Sequence, residues 1–207
     1  LSKNKKDQRL LGGSVALAAV LWYLSFCLGG PSFWVKISFS AAILATLAWW
    51  SQPKSDKQLI CDLPTFMLGI VSAALLYAIF WAGQIIATFL FPFASQQIGS
   101  IYGLGDGFKA WQVALILFFI TGPAEEIYWR GFLQKRLSRK FGPVNGFLAA
   151  TALYTGVHLC TLNFMLIGAA AVAGVFWGLM YWRYNNLAAN IISHSVWTAV
   201  VFAVFPL

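Results

Sequence analysis

Apolar residues in this chain come in long runs, each broken by a short cluster of glycine, proline, serine or asparagine. A helix needs about 20 apolar residues to cross a bilayer core, and seven segments meet or approach that length. They run approximately from Leu10 to Leu28, Phe33 to Trp50, Pro64 to Phe91, Trp111 to Leu137, Pro143 to Cys160, Phe164 to Trp182 and Leu187 to Phe205. The breaks carry turn chemistry: Gly29-Gly30-Pro31, Ser51-Gln52-Pro53, the stretch Gly103 to Gly107, Gly142-Pro143 and Asn185-Asn186. The pattern predicts an all-α polytopic transmembrane bundle of about seven spans, forming one domain over 1–207. Within it, 1–110 holds spans without motifs and 111–207 the spans that carry them. The sequence starts at Leu1 without a methionine, so a trimmed start is expected; an eighth span before it would leave the assignment from Lys54 onward unchanged.

Composition names the solvent. Sixty per cent of residues are hydrophobic, 10% are charged and the mean hydropathy is +0.74. Soluble chains are typically about a quarter charged, so this one has too little polar surface to cover a core in water. Disorder, a secreted disulfide scaffold and a free nucleic-acid binder are excluded. The net charge of +8 reflects loop placement. With the N-terminus cytoplasmic, the inner loops collect Lys3, Lys5, Lys6, Arg9, Lys54, Lys57, Lys135, Arg136, Arg139, Lys140 and Arg183, and the C-terminus lies outside. Lys3 to Arg9 before an apolar run resembles a signal peptide, but Leu10 to Leu28 is long enough to remain as a span. Cys27, Cys61 and Cys160 show no metal or disulfide spacing and read as small hydrophobes. Ala170, Gly174 and Gly178 form a small-xxx-small packing face. The GLGDG stretch at Gly103 to Gly107 follows no strand and reads as an external turn.

Against that background four residues stand out: Glu125 and Glu126, the two glutamates, and His158 and His194, the two histidines. Ionisable groups at membrane depth are costly and face a protein interior or a water cavity. Glu126 and Arg130 are four apart on one helix and can neutralise each other. Glu125, 100° around the helix, points to another stripe and needs its own partner. Glu126 is sixteen residues before the Gly142 turn and His158 sixteen after it. In straight antiparallel helices both lie roughly 24 Å from the turn. His194 is eight residues past Asn186, roughly 12 Å deep. The levels agree if Lys135 to Lys140 projects as helix into the cytoplasm, which places the site in the cytoplasmic half of the bilayer.

A carboxylate and an imidazole on one water make a general-base site for hydrolysis, and a second imidazole can donate to an oxyanion. Ser193 and Ser195 flank His194 but have no evident base, so no nucleophile stands out. Other readings remain open on these residues: a proton-coupled transporter, a non-catalytic membrane scaffold, or a His₂Glu zinc site built from Glu125, His158 and His194.

The motifs themselves are specific. EExxxR at Glu125 to Arg130 is followed by Gly131-Phe132-Leu133, then by YxxxH at Tyr154 to His158 and by Asn190 to His194. In this order they resemble the CPBP family of CAAX proteases and bacteriocin-processing enzymes, also called Abi, over roughly Trp111 onward. The resemblance implies a metal-free intramembrane endopeptidase acting on a membrane-associated peptide or protein, with no cofactor. It implies that Glu125 and His158 activate water, that Glu126 pairs with Arg130, and that His194 helps form the oxyanion hole. Two positions depart from the family: Tyr154 replaces a phenylalanine, and Thr198, four after His194, replaces an amide or carboxylate partner. Asn190, one turn earlier, is the candidate compensation. An inactive scaffold or bacteriocin-immunity protein of the same fold is the alternative outcome. The shortness of the chain suggests a prokaryotic inner-membrane protein. Arg130 to Lys140 is a candidate contact for anionic lipid.

Overall fold

The structure is a computed structural model that describes residues 3–29, 32–53, 59–104 and 107–207. Expectations for Gly30-Pro31, Lys54, Lys57 and Gly105-Asp106 lie outside these residues. Among those described, eight helices are present: α1 (Lys3–Cys27), α2 (Phe33–Ser51), α3 (Leu63–Leu90), α4 (Ala94–Gly103), α5 (Ala110–Phe141), α6 (Pro143–Gly156), α7 (Phe164–Tyr184) and α8 (Leu187–Val204). Six of them, all but α4 and α6, are long and apolar enough to cross a membrane. Phe39, Trp50, Phe89 and Phe119 are among many large apolar side chains left exposed, as expected where lipid is the solvent.

Two elements differ from the hydropathy reading. The amphipathic helix α4 occupies a stretch between predicted spans. The predicted span Pro143 to Cys160 is instead the 14-residue α6, roughly 21 Å long against a hydrocarbon core of about 30 Å. The chain leaves the helix at Val157 and His158 and makes one 3₁₀ turn at Leu159–Thr161. Asn163 then starts α7. Its side chain accepts from Leu166 N at 2.9 Å and donates to Gln97 O of α4 at 2.9 Å. His158 therefore sits on a turn inside the bundle, and not within a helix.

Helix α5 is not uniform either. Pro123 has no N–H and its ring crowds the carbonyl four residues back. The preceding turn, Leu117–Thr121, widens to a π-helix in which Gly122 N reaches Leu117 O. A second wide segment, Ile127–Gln134, follows the carboxylates. Such bulges rotate side chains relative to a regular helix, so straight-helix counting holds only roughly here.

The α5–α6 hairpin turns at Gly142, whose φ of 85° favours glycine. Four residues on, a Cβ at Gly146 would collide with the Ser138 backbone. Gly146→Ala is therefore expected to push the hairpin apart and cost about 1–3 kcal/mol, read as a lower melting temperature in detergent. Gly174 and Gly178 of α7 lie against Tyr154 and Phe147 of α6. The carbonyls of the same two glycines accept from α5: Arg130 Nη2 reaches Gly174 O at 3.4 Å and Gln134 Nε2 reaches Gly178 O at 2.8 Å.

At one end of the bundle, Arg136 joins Asp7 of α1 at 3.0 Å and Ser51 O of α2 at 2.9 Å. Asp62 caps α3, and hydrogen bonds from the Thr65 hydroxyl and N–H hold its carboxyl below the usual range. Asn186 caps α8 and donates to the same Thr65 hydroxyl at 2.8 Å. Cys27 at the far end of α1 donates its thiol to Cys160 O at 3.2 Å, which ties α1 to the turn that carries His158.

Candidate active site

The adjacent glutamates meet different surroundings because one helical step separates them. Glu126 is fully buried. Its Oε1 accepts from Arg130 Nη1 at 2.8 Å and faces His194 Nδ1 at 2.8 Å, while its Oε2 accepts from Asn190 Nδ2 at 3.2 Å. Both oxygens are satisfied by a cation and two further donors, so Glu126 is neutralised in place. Asn190 also donates to Trp177 O at 2.9 Å. Its amide therefore serves Glu126 and α7 rather than the position next to Thr198 for which it is the candidate substitute.

Glu125 is 8% exposed and lines a cavity of about 440 Å³ shared with Trp22, Tyr154, His158, His194 and Thr198. Its Oε2 accepts from the Tyr154 hydroxyl at 3.3 Å. Its Oε1 accepts from none of the described residues. Glu126 is not part of the cavity wall. Of the two carboxylates, the one with spare acceptor capacity is the one that faces open space.

The two imidazoles are held differently. A carboxylate can only accept, so Nδ1 of His194 carries the proton toward Glu126 and Nε2 is its free end. The ring stacks on Trp177 with centroids 3.8 Å apart and planes at 16°. The Arg130 guanidinium lies 4.8 Å from the Tyr154 ring and 5.5 Å from the Trp177 ring. His158 places Nδ1 at 2.8 Å from Tyr154 O, and its Nε2 accepts from Trp22 Nε1 at 3.3 Å. Both of its nitrogens are thus engaged. Thr198 donates its hydroxyl to His194 O at 2.8 Å on its own helix, so that proton is committed. Ser193 accepts from Trp177 Nε1 at 3.1 Å, and the Ser195 hydroxyl is buried beside Gly122; neither meets an imidazole.

Glu126, Arg130 and His194 therefore form one hydrogen-bonded group, Glu125 joins α6 through Tyr154, and His158 and Thr198 complete the cavity wall. Glu126 is ten residues from Arg136, roughly 15 Å along α5. The cavity extends away from the basic end, toward Gln84 of α3, Tyr102 of α4 and Phe164 at the start of α7. Among the described residues no group of three or more His, Cys, Asp or Glu side chains is placed to hold a metal ion. Trp22, Trp177 and the Tyr154 hydroxyl take part although no motif singled out the tryptophans. The tyrosine did carry a signal, as the departure from phenylalanine in YxxxH.

A neutralised carboxylate, a spare one and two imidazoles thus stand around one cavity within the helical bundle. Residues 107–200 match the family model described as Rce1-like, type II CAAX prenyl endopeptidase Rce1-like. Over that stretch this integral membrane protein is similar, at family level, to the CAAX-protease-type membrane endopeptidases. No curated protein and no solved structure matches the chain.

Proposed function

We propose that the protein is an intramembrane endopeptidase that hydrolyses a peptide bond of a membrane-associated peptide or protein with water activated by Glu125. The observation that carries this reading is the contrast between the carboxylates. Glu126 is closed off by Arg130, His194 and Asn190, whereas Glu125 presents an unpaired oxygen to the cavity. A general base needs spare acceptor capacity within reach of water, and of the two carboxylates only Glu125 has it.

In this scheme water on Glu125 Oε1 attacks the carbonyl carbon and its proton passes to the carboxylate. The tetrahedral oxyanion needs a donor. Glu126 fixes the ring of His194 through Nδ1 and leaves Nε2 as the end that meets substrate; in its protonated form that nitrogen donates to the oxyanion. The proton held by Glu125 then goes to the leaving amine. His158 adds a second imidazole to the wall. The Thr198 hydroxyl offers lone pairs and not a free proton, so His194 carries the oxyanion interaction without the amide usual in the family. The reaction needs no metal, and cleavage is expected to persist in strong chelator at the untreated rate; loss on chelation, restored by zinc, would show a metal-dependent enzyme.

Positive-inside loops favour a cytoplasmic N-terminus in a prokaryotic inner membrane, with the cavity entered laterally or from the opposite face. Incubating detergent-purified protein with transmembrane peptides in ¹⁸O-water tests the hydrolysis. New carboxyl termini carrying ¹⁸O are expected. Intact peptides, with the protein folded, would instead favour the non-catalytic scaffold.

A further inference from the structure

Trp22 lies on α1, outside the residues that match the family model, and it is fully buried. Its indole packs edge-on to Trp129, with centroids 5.7 Å apart at 88°, and to His158 at 6.3 Å and 80°. Phe26, one turn further along α1, packs on the same imidazole at 5.6 Å. The first helix therefore positions the His158 ring from one side while Tyr154 holds it from the other.

The hydrogen-bond directions are fixed by chemistry. A backbone carbonyl only accepts, so the Tyr154 carbonyl requires a proton on His158 Nδ1. Neutral imidazole then has its lone pair on Nε2, and an indole N–H only donates. The 3.3 Å contact is thus Trp22 Nε1–H donating into the one basic position of His158. Trp22 and His158 both border the cavity with Glu125, so a ligand that fills the cavity meets this pair directly.

We propose that Trp22 is a positioning residue that holds His158 in the Nδ1–H tautomer and masks its Nε2 lone pair in the substrate-free protein, substrate entry displacing the indole N–H. This rests on the endopeptidase reading for its purpose, but the mask is a property of the free protein. It imposes a cost on binding: apparent affinity is reduced by the fraction of molecules in which the competent arrangement is populated. One neutral hydrogen bond corresponds to a factor of about five.

Two measurements on the free protein test the mask without any substrate. The chain has two histidines, so ¹⁵N-histidine labelling gives two imidazole spin systems. At neutral pH the wild-type His158 is expected to carry its proton on Nδ1, with Nε2 of acceptor type. Trp22→Phe keeps an aromatic ring without the N–H, and it should move that Nε2 resonance downfield. Diethyl pyrocarbonate acylates an unprotonated, unblocked imidazole nitrogen, and peptide mass spectrometry separates the two sites. Trp22→Phe should raise the modification rate of His158 about fivefold and leave that of His194 unchanged. A proton on Nε2 of His158 in the wild type would overturn the proposal, and that reading does not depend on the variant folding. Unchanged His158 reactivity in a folded Trp22→Phe protein would overturn it as well.

With a cleavable peptide, Trp22→Phe should lower KM up to about fivefold at constant kcat, whereas a merely structural role would lower kcat or stability. If cleavage is absent from wild type but the tautomer and reactivity results hold, the endopeptidase reading fails and the mask stands.

Discussion

Arg130→Met is expected to destabilise the protein by about 3–5 kcal/mol, the usual cost of leaving one member of a buried pair without its partner. Glu126 is fully buried and Arg130 is 2% exposed, so neither solvent nor lipid can replace the lost charge. The remaining partners of Glu126, His194 Nδ1 and Asn190 Nδ2, cannot supply a permanent cation. The loss also frees Gly174 O and removes the guanidinium from between the Tyr154 and Trp177 rings. Removing both charges is milder, because a pair replaced by apolar or neutral groups of similar volume is often tolerated. The double variant Glu126→Gln, Arg130→Met should therefore recover much of the stability that Arg130→Met loses. Denaturation in mixed micelles reads both, and equal losses in the single and double variants would show that the pair is not the anchor of α5 against α7 and α8.

Glu125→Gln is expected to slow peptide cleavage by about 10²–10⁴-fold, the typical worth of a general base, while the fold persists. The glutamine keeps an acceptor for the Tyr154 hydroxyl and fills the same space at the cavity wall. Without a carboxylate it cannot take a proton from water. Glu126→Gln should show a different pattern: a loss of stability first, with slower cleavage following from a displaced His194. The rate on a quenched fluorescent peptide and the melting temperature, measured together, separate the two glutamates. Cleavage by Glu125→Gln within a factor of a few of wild type would remove the base from the mechanism.

Much of this was legible because charge is scarce in the chain. An ionisable side chain at membrane depth must find a partner or a cavity, and the i,i+4 spacing of Glu126 and Arg130 already pairs them. The same helical step separates Glu125 from that pair. Six of the seven hydropathy segments correspond to long helices, since length and apolarity are properties of one helix alone. What was hidden depends on other elements. Helix α6 ends at Gly156 because Asn163 opens α7 and anchors to Gln97 and Ser100 of α4, a contact 63 or more residues away in sequence. Pro123 announces a disturbance in α5, but the size of the π segments it accompanies is set by packing. Trp22 is one of ten tryptophans, and nothing local marks it as the one that reaches His158. Thr198 was visible as a departure from the family, but its hydrogen bond to its own helix was not.

The most direct measurement is a parallel incubation of purified wild-type and Glu125→Gln protein with a library of membrane-anchored peptides in strong chelator, new termini being identified by mass spectrometry. Discrete cleavage products from the wild type, reduced at least about 100-fold in the folded variant, are the expected result. No products from folded wild-type protein, or the same products at similar rates from both proteins, would contradict hydrolysis by Glu125-activated water.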